Sequence, residues 1–404
     1  MQSDPLHSTA TRPGAGGHSG GHSGGHPGGP ADNGWRIGIL YSRSGATSVT
    51  ESEHFFGTTL AVEEINALGG VLDRPLVPQA YDPKGDSDEY RRLATKLLIE
   101  DEINVIFGCS RSSSRKAVLP VVERNNALLW YCSFYEGFEY SPNIIYTGAV
   151  PNQNSMQLAA YLLQHHGPRF FLVGSDYIYP RESNRVVRDV VEEHGGEIVE
   201  EVYLPIEAGR AELDEVLREI AASQPNVIFS TLVGQSARQF YSLYREHGLD
   251  PQRMPIASLS MAEEEIRLIG PSLCAGHITA ATYFGSLKNE SNLHFTRLWR
   301  ERFGDRPTST WSEMAYTQVH LFARALERTG SLDSRRLVEA AHGLHFESPE
   351  GPVSIDADNN HCVLTPRIGI CRSDGQFNVV WESAEPVKPD PYLSSFGFSE
   401  FWLR

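Results

Sequence analysis

No apolar run in this sequence approaches the roughly 20 residues that span a bilayer, so no membrane segment is expected. Cysteine is scarce. Cys109, Cys132, Cys274, Cys362 and Cys371 are scattered, odd in number and without a CxxC pair. That argues against a disulfide framework or a zinc site and leaves buried free thiols. Positive charge is short as well: 35 Lys and Arg stand against 51 Asp and Glu, for a net charge of −16. Such a surface repels phosphate backbones, so no direct nucleic-acid binding is expected, while a basic protein partner would suit it. The chain has no GxGxxG after its first strand-like run, no GxxxxGK[ST] and no HExxH. Dinucleotide, phosphate-loop and zincin chemistry therefore lack their motifs. His165, His166 and His320 fall in helix-like segments, where a packed or solvated ring is the ordinary reading. Cys109 and Cys132 have no convincing histidine partner to form a nucleophile–base pair. The reading is of a protein with no catalytic residues, no metal and no cofactor, and so not an enzyme.

What is present divides into a leader and an α/β body. Residues 1–34 carry GGHS and GGHP repeats and cannot bury enough apolar surface to fold alone. They hold no apolar core of the 7–15 residues that a secretory signal needs, so the expected location is the cytoplasm. His7, His18, His22 and His26 are read as part of a flexible leader without a metal role. The GHSGG at 17–21 fits a hydrolase elbow pattern but lacks the strand and helix that the elbow requires.

From Trp35 onward, strand-length apolar runs alternate with amphipathic segments. WRIGILYS (35–42), PLVPQAYD (75–82), INVIFG (103–108) and ALLWYC (127–132) read as strands. Between them lie helix-like stretches. In DEYRRLATKLLIED (88–101), Tyr90, Leu93, Ala94, Leu97 and Leu98 share one face. The pattern restarts after about residue 150 with SMQLAAYLLQHH (155–166), RFFLVGSD (169–176), EIVEEVYL (197–204), NVIFSTLV (226–233) and PIASL (255–259). Long helices follow at 294–304 and 311–330, then a hairpin over 363–381 with Asp374-Gly375 at its turn. Strands regularly separated by helices imply parallel sheets with helices on both faces. Two such units and a late return to helices imply two lobes joined by a multi-crossover hinge. Lobe 1 is expected over 35–148 plus 282–342, and lobe 2 over 149–281 plus 343–404.

Ligands of open parallel sheets bind beyond the carboxyl ends of the strands. The residues there are Cys109 to Ser114, Tyr131 to Tyr135, Ser175 to Tyr179 and Thr231 to Gly234. They are rich in hydroxyls and aromatics and poor in catalytic groups. Ser112 opens a helix, where free N–H groups favour a ligand oxygen, although serine is also a common N-cap. Tyr177 and Tyr179 would point to one side if their segment were extended; an aromatic pair packed at a lobe edge is the alternative.

These same segments carry a resemblance. SRKAVLPVVER (114–124), YEGFEYSPNIIY (135–146), PNQNS (151–155), SDYIYPRESN (175–184), FSTLVG (229–234) and EPVKPDPY (385–392) resemble the type 1 periplasmic-binding-protein fold. Within it they resemble the branch of urea and short-chain-amide transport binding proteins and the amide sensors that negatively regulate aliphatic amidase operons. The resemblance implies a pocket for a short amide or urea-like molecule built from Ser112, Tyr131, Tyr177, Tyr179 and Val233. Ser110 stands where a bulky aromatic would be expected, Ser133 where a threonine would, and Phe134 where a proline would. Loss of the aromatic at 110 opens space that Phe134 can refill. The sensor branch implies a partner, an RNA-binding antitermination regulator; the transport branch implies a membrane permease. The oligomeric state stays open, a homodimer included.

Overall fold

The computed structural model describes residues 34–394. The Gly/His leader, apart from Gly34, lies outside the described residues. Five parallel strands form the first sheet: β1 (Trp35–Leu40), β2 (Leu76–Tyr81), β3 (Val105–Gly108), β4 (Leu128–Tyr131) and β5 (Ile144–Tyr146), in the order β2-β1-β3-β4-β5. Helices α1 (Ser48–Ala67), α2 (Ser87–Ile99) and α3 (Ser112–Arg124) connect the first four, and a loop leads from β4 to β5. β3 and β4 are buried along their whole length, as strands covered on both faces must be. In α2 the buried residues are Tyr90, Leu93, Ala94, Leu97 and Leu98, the face read from the sequence. Asp86 caps that helix by accepting from the Glu89 N–H at 2.8 Å.

The second sheet takes up α4 (Ser155–His165), β6 (Arg169–Ser175), α5 (Ile178–Glu193), β7 (Glu197–Leu204), α6 (Arg210–Ser223), β8 (Val227–Thr231), α7 (Gly234–Glu246), β9 (Ile256–Ser258), α8 (Glu263–Ile269), α9 (Pro271–Cys274) and β10 (Ile278–Ala281). The chain then returns to the first lobe as α10 (Glu290–Phe303), α11 (Thr310–Thr329) and α12 (Ser334–Ala341), followed by a small sheet of β11 (His345–Ser348), β12 (Gly351–Ile355) and β13 (Cys362–Val363). It ends as β14 (Arg367–Cys371) and β15 (Phe377–Glu382), an antiparallel hairpin on the edge of the second sheet. Gly375 turns that hairpin at φ +83°, a region open to glycine without strain. The second sheet runs β15-β14-β10-β9-β8-β6-β7. This is the α/β two-lobed type 1 periplasmic-binding-protein architecture.

The chain crosses between lobes after β5, after β10 and after β13. The expected breaks at 148/149 and 281/282 fall within the first two crossings. The break expected at 342/343 does not. Leu344, Val353, Ile355, Cys362 and Leu364 pack with Trp130, Val319 and Phe322 in the core of the first lobe, so the last return comes about 20 residues later. Short strands read as a β-rich C-terminal part gave no sign of which lobe would own them.

A buried ionic network ties α3 to the loop after β4. The Arg115 side chain is wholly buried, with its Nε 2.6 Å from Glu139 Oε1 and its Nη2 3.2 Å from Glu136 Oε1. The Tyr131 and Tyr135 rings lie against its guanidinium, at 4.8 and 4.4 Å. Burial pushes the Glu139 carboxyl up, but Arg115 and Lys116 outweigh it and hold it below its ordinary range. Arg115→Met would take the buried cation from Glu136 and leave Glu139 with Lys116. It is expected to cost about 3–5 kcal/mol of stability, read as a lower midpoint in urea unfolding at pH 7.

Candidate functional site

The carboxyl ends of both sheets face one cleft of about 650 Å³, its open mouth included. The enclosed part is much smaller, about 60 Å³, room for a compact molecule of a few non-hydrogen atoms. Each wall is built by residues that follow the carboxyl end of a strand. After β3 the backbone enters the left-handed region at Cys109 (φ +66°), and Ser110, Arg111 and Ser112 line the cleft. A non-glycine residue held there stores strain, which clusters at ligand sites. α3 starts at Ser112 without a side-chain cap, leaving its first-turn N–H groups for a ligand oxygen. After β4 come Ser133 and Phe134; the Ser133 and Ser110 hydroxyls are 3.4 Å apart. The opposite wall holds Tyr177 and Tyr179, with ring centroids 6.2 Å apart, and Val233 at the start of α7. The Ser175 hydroxyl accepts from the Val233 N–H at 3.2 Å and so ties these two turns together.

Of the residues expected to bind ligand, Ser110, Ser112, Ser133, Phe134, Tyr177, Tyr179 and Val233 line this one cavity. Tyr131 does not. Its ring is fully buried beneath the cleft, where its hydroxyl donates to the Ser110 carbonyl at 2.6 Å. Tyr131 thus holds the Ser110 turn in place and presents nothing to the cavity. Only the start of the Tyr177–Tyr179 segment is extended: Tyr177 is the N-cap residue of α5 and Tyr179 sits in its first turn. Both rings reach the cleft nonetheless. The Ser112 hydroxyl already donates to Glu136 Oε2, so only its lone pairs and the helix N–H groups remain for a ligand.

The sequence reading passed over Thr47, Thr50, Arg238, Met261, Glu265 and Trp311, which also line the cavity, and gave no role to Arg111 within the 109–114 run. Thr47 and Glu265 follow β1 and β9, strand ends governed by the same rule as those that were read. Trp311 opens a long helix and carried no such signal. Phe134 lies between Trp311 of one lobe and Tyr179 of the other, at 4.9 and 5.6 Å between centroids. Glu51 anchors the loop after β1, accepting from the Ser42 N–H and the Thr47 hydroxyl, each at 2.7 Å.

The cavity is therefore not free of charge, as hydroxyls and tyrosines alone had suggested. Several of its buried polar atoms lack a hydrogen-bond partner: Arg111 Nε, Trp311 Nε1 and Glu265 Oε2. An orphaned buried polar atom costs about 1–3 kcal/mol. Burial pushes the Glu265 carboxyl up to about 7, with Thr50 and Arg238 among the opposing influences.

The lobes are closed on this cleft. Thr50 of α1 donates to Glu265 Oε1 of α8 at 3.1 Å. At Gly234 (φ +64°) a Cβ would stand 2.4 Å from the Ala46 carbonyl oxygen of the other lobe.

Fold and site together define a two-lobed small-molecule-binding protein. Residues 35–396 match the periplasmic binding protein domain family, and the chain belongs to it. A "Leu/Ile/Val-binding protein homolog 6" of Brucella melitensis is 23% identical over 286 residues, 69% of this chain and 73% of that protein. A solute-binding protein of an ABC transporter from Rhodopseudomonas palustris, in complex with 3,4-dihydroxybenzoic acid, superposes with a TM-score of 0.80. It is 22% identical over 88% of this chain and 98% of its own. A branched-chain amino acid transporter substrate-binding protein from Streptococcus pneumoniae, in complex with isoleucine, gives 0.76 at 20% identity, over 88% of this chain and 100% of its own. The family is one of binding proteins, not of catalysts.

Gly234→Ala tests the closed geometry. The added methyl meets the Ala46 carbonyl, and the positive φ adds about 1 kcal/mol of strain. Calorimetric affinity for the compound that most stabilises the wild-type protein is expected to fall about tenfold or more, with the folded state retained at 25 °C by circular dichroism.

Proposed function

We propose that this chain is the solute-binding component of an uptake system for a short amide or urea-like molecule. The observation that carries the reading is the set of orphaned polar atoms in a closed interlobe cavity. Arg111 Nε and Trp311 Nε1 can only donate, Glu265 Oε2 can accept, and the α3 N-terminus favours an oxygen. A compact ligand with a carbonyl oxygen at one end and N–H at the other meets both needs. An amide does so without a net charge to desolvate. Phe134, Trp311 and the two tyrosines supply the apolar wall for a short acyl chain. Ser110 in place of a large aromatic favours propionamide or butyramide over acetamide, each added buried CH₂ contributing about 0.8 kcal/mol.

A second reading comes from the stretches that resemble the amide sensors, SDYIYPRESN (175–184) and FSTLVG (229–234) among them. In it the chain works in the cytoplasm and restrains an RNA-binding antitermination regulator until amide binds. The net charge of −16 suits a basic partner of that kind. Copurification with such a regulator, and its release by amide, would favour this reading over transport.

The ligand is tested by a thermal-shift screen of formamide, urea, acetamide, propionamide and butyramide against isoleucine and 4-hydroxybenzoate. At a hundredfold excess over Kd, binding adds about 2.7 kcal/mol, enough to raise Tm by several degrees. The amides are expected to shift Tm, propionamide or butyramide most. A shift from isoleucine or 4-hydroxybenzoate alone would replace the amide with an amino acid or an aromatic acid.

A further inference from the structure

α8 opens with three consecutive glutamates, and each is buried against the first lobe or the crossover that leads to it. Glu263 Oε1 accepts from the Gly285 N–H at 2.8 Å. Glu264 Oε1 lies 2.8 Å from Arg306 Nη2. Glu265 Oε1 accepts from Thr50. Across the contact, Glu53 of α1 is wholly buried, its Oε1 2.6 Å from Arg306 Nε and its Oε2 3.2 Å from the Ser309 hydroxyl. Arg306 thus bridges a carboxylate of one lobe to a carboxylate of the other. The further cations facing the cluster are Arg267, which pairs with Glu264 at 2.8 Å, and Arg238 beside Glu265. Four buried carboxyls therefore meet few positive charges, and Arg306 is the one that spans the lobes.

We propose that this interlobe acidic contact makes closure of the clamp proton-coupled, so that the lobes close more readily as pH falls. The argument is one of desolvation. Opening the cleft would return Glu53, Glu263 and Glu265 toward water and toward their ordinary range. Closing it removes them from water and sets them against one another, which disfavours four simultaneous negative charges. Burial raises Glu53 to about 8, with Arg306 opposing and Glu264 and Glu265 adding to the rise. Burial also raises Glu263 and Glu265 to about 7. A group whose pKa is higher in the closed form binds protons on closing. Closure is then favoured near pH 6 and weakened as pH rises through 7 to 8. Glu265 also lines the ligand cavity, so the coupling is tested on the ligand-free chain, where its failure is separate from that of the amide reading.

The test uses the ligand-free full chain carrying spin labels at Arg124→Cys on the first lobe and Glu219→Cys on the second, both exposed. Pulsed electron–electron resonance then gives the interlobe distance distribution at pH 6 and pH 9. The short-distance population is expected to grow severalfold at pH 6. Glu53→Gln combined with Glu263→Gln keeps size and hydrogen-bond acceptors but removes two charges, and is expected to abolish most of the difference by holding the lobes closed at pH 9. If that variant fails to fold, Arg306→Met, which leaves the carboxyls without their bridge, is expected to open at pH 9 and close again at pH 6. Identical distributions at pH 6 and pH 9 in the folded labelled chain would overturn the proposal.

Discussion

The site depends on one constraint: two parallel sheets present their carboxyl ends to the same cleft. Most of these strands hand the chain to a helix at that end, while β4 hands it to the loop that leads to β5. Such turns bring short polar side chains and helix N-termini to the rim. Cys109 to Ser112, Tyr177 with Tyr179, and Val233 with Gly234 are three instances of that construction, and Ser133 with Phe134 follows β4 in a loop. The lobes supply two walls each, and no single wall makes a pocket.

Much of this was legible in the sequence because parallel strands and amphipathic helices have distinct periods. β7 spans Glu197–Leu204, the run read as EIVEEVYL, and the Asp374-Gly375 turn stands between β14 and β15 as read. The three-residue strand β5 offered too short an apolar run to be separated from its loop. The segment from Leu344 to Leu364 was assigned by position in the chain, yet its side chains fill the first lobe's core. The site was legible to the extent that strand ends could be located. Tyr131 shows the limit: it ends β4, but a strand's last residue can face down into the core as readily as out. Its aromatic neighbours Tyr135 and Tyr146, and Arg115 over its ring, take it inward.

What pattern could not reveal was charge. Arg111, Arg238 and Glu265 reach the cavity from three different turns, and Glu53 meets Glu264 only through Arg306, some 250 residues away in the chain. Burial of so many carboxyls is unusual, since an unpaired buried charge costs several kcal/mol. It is tolerable where the contact is made and broken in use, and an interlobe surface in a clamp is such a place. The same closing motion that hides Trp311 Nε1 and Glu265 Oε2 from water leaves them in want of partners.

The central claim is that a small molecule supplies those partners from within the cleft, touching both lobes at once. A crystal structure with the best-stabilising compound from the screen tests it most directly. The account predicts ligand atoms within about 3.2 Å of Trp311 Nε1 or Arg111 Nε on one lobe and of Glu265 Oε2 or the Tyr179 hydroxyl on the other. Density confined to one lobe, or lying outside the cavity while these atoms bond only to water, would contradict it.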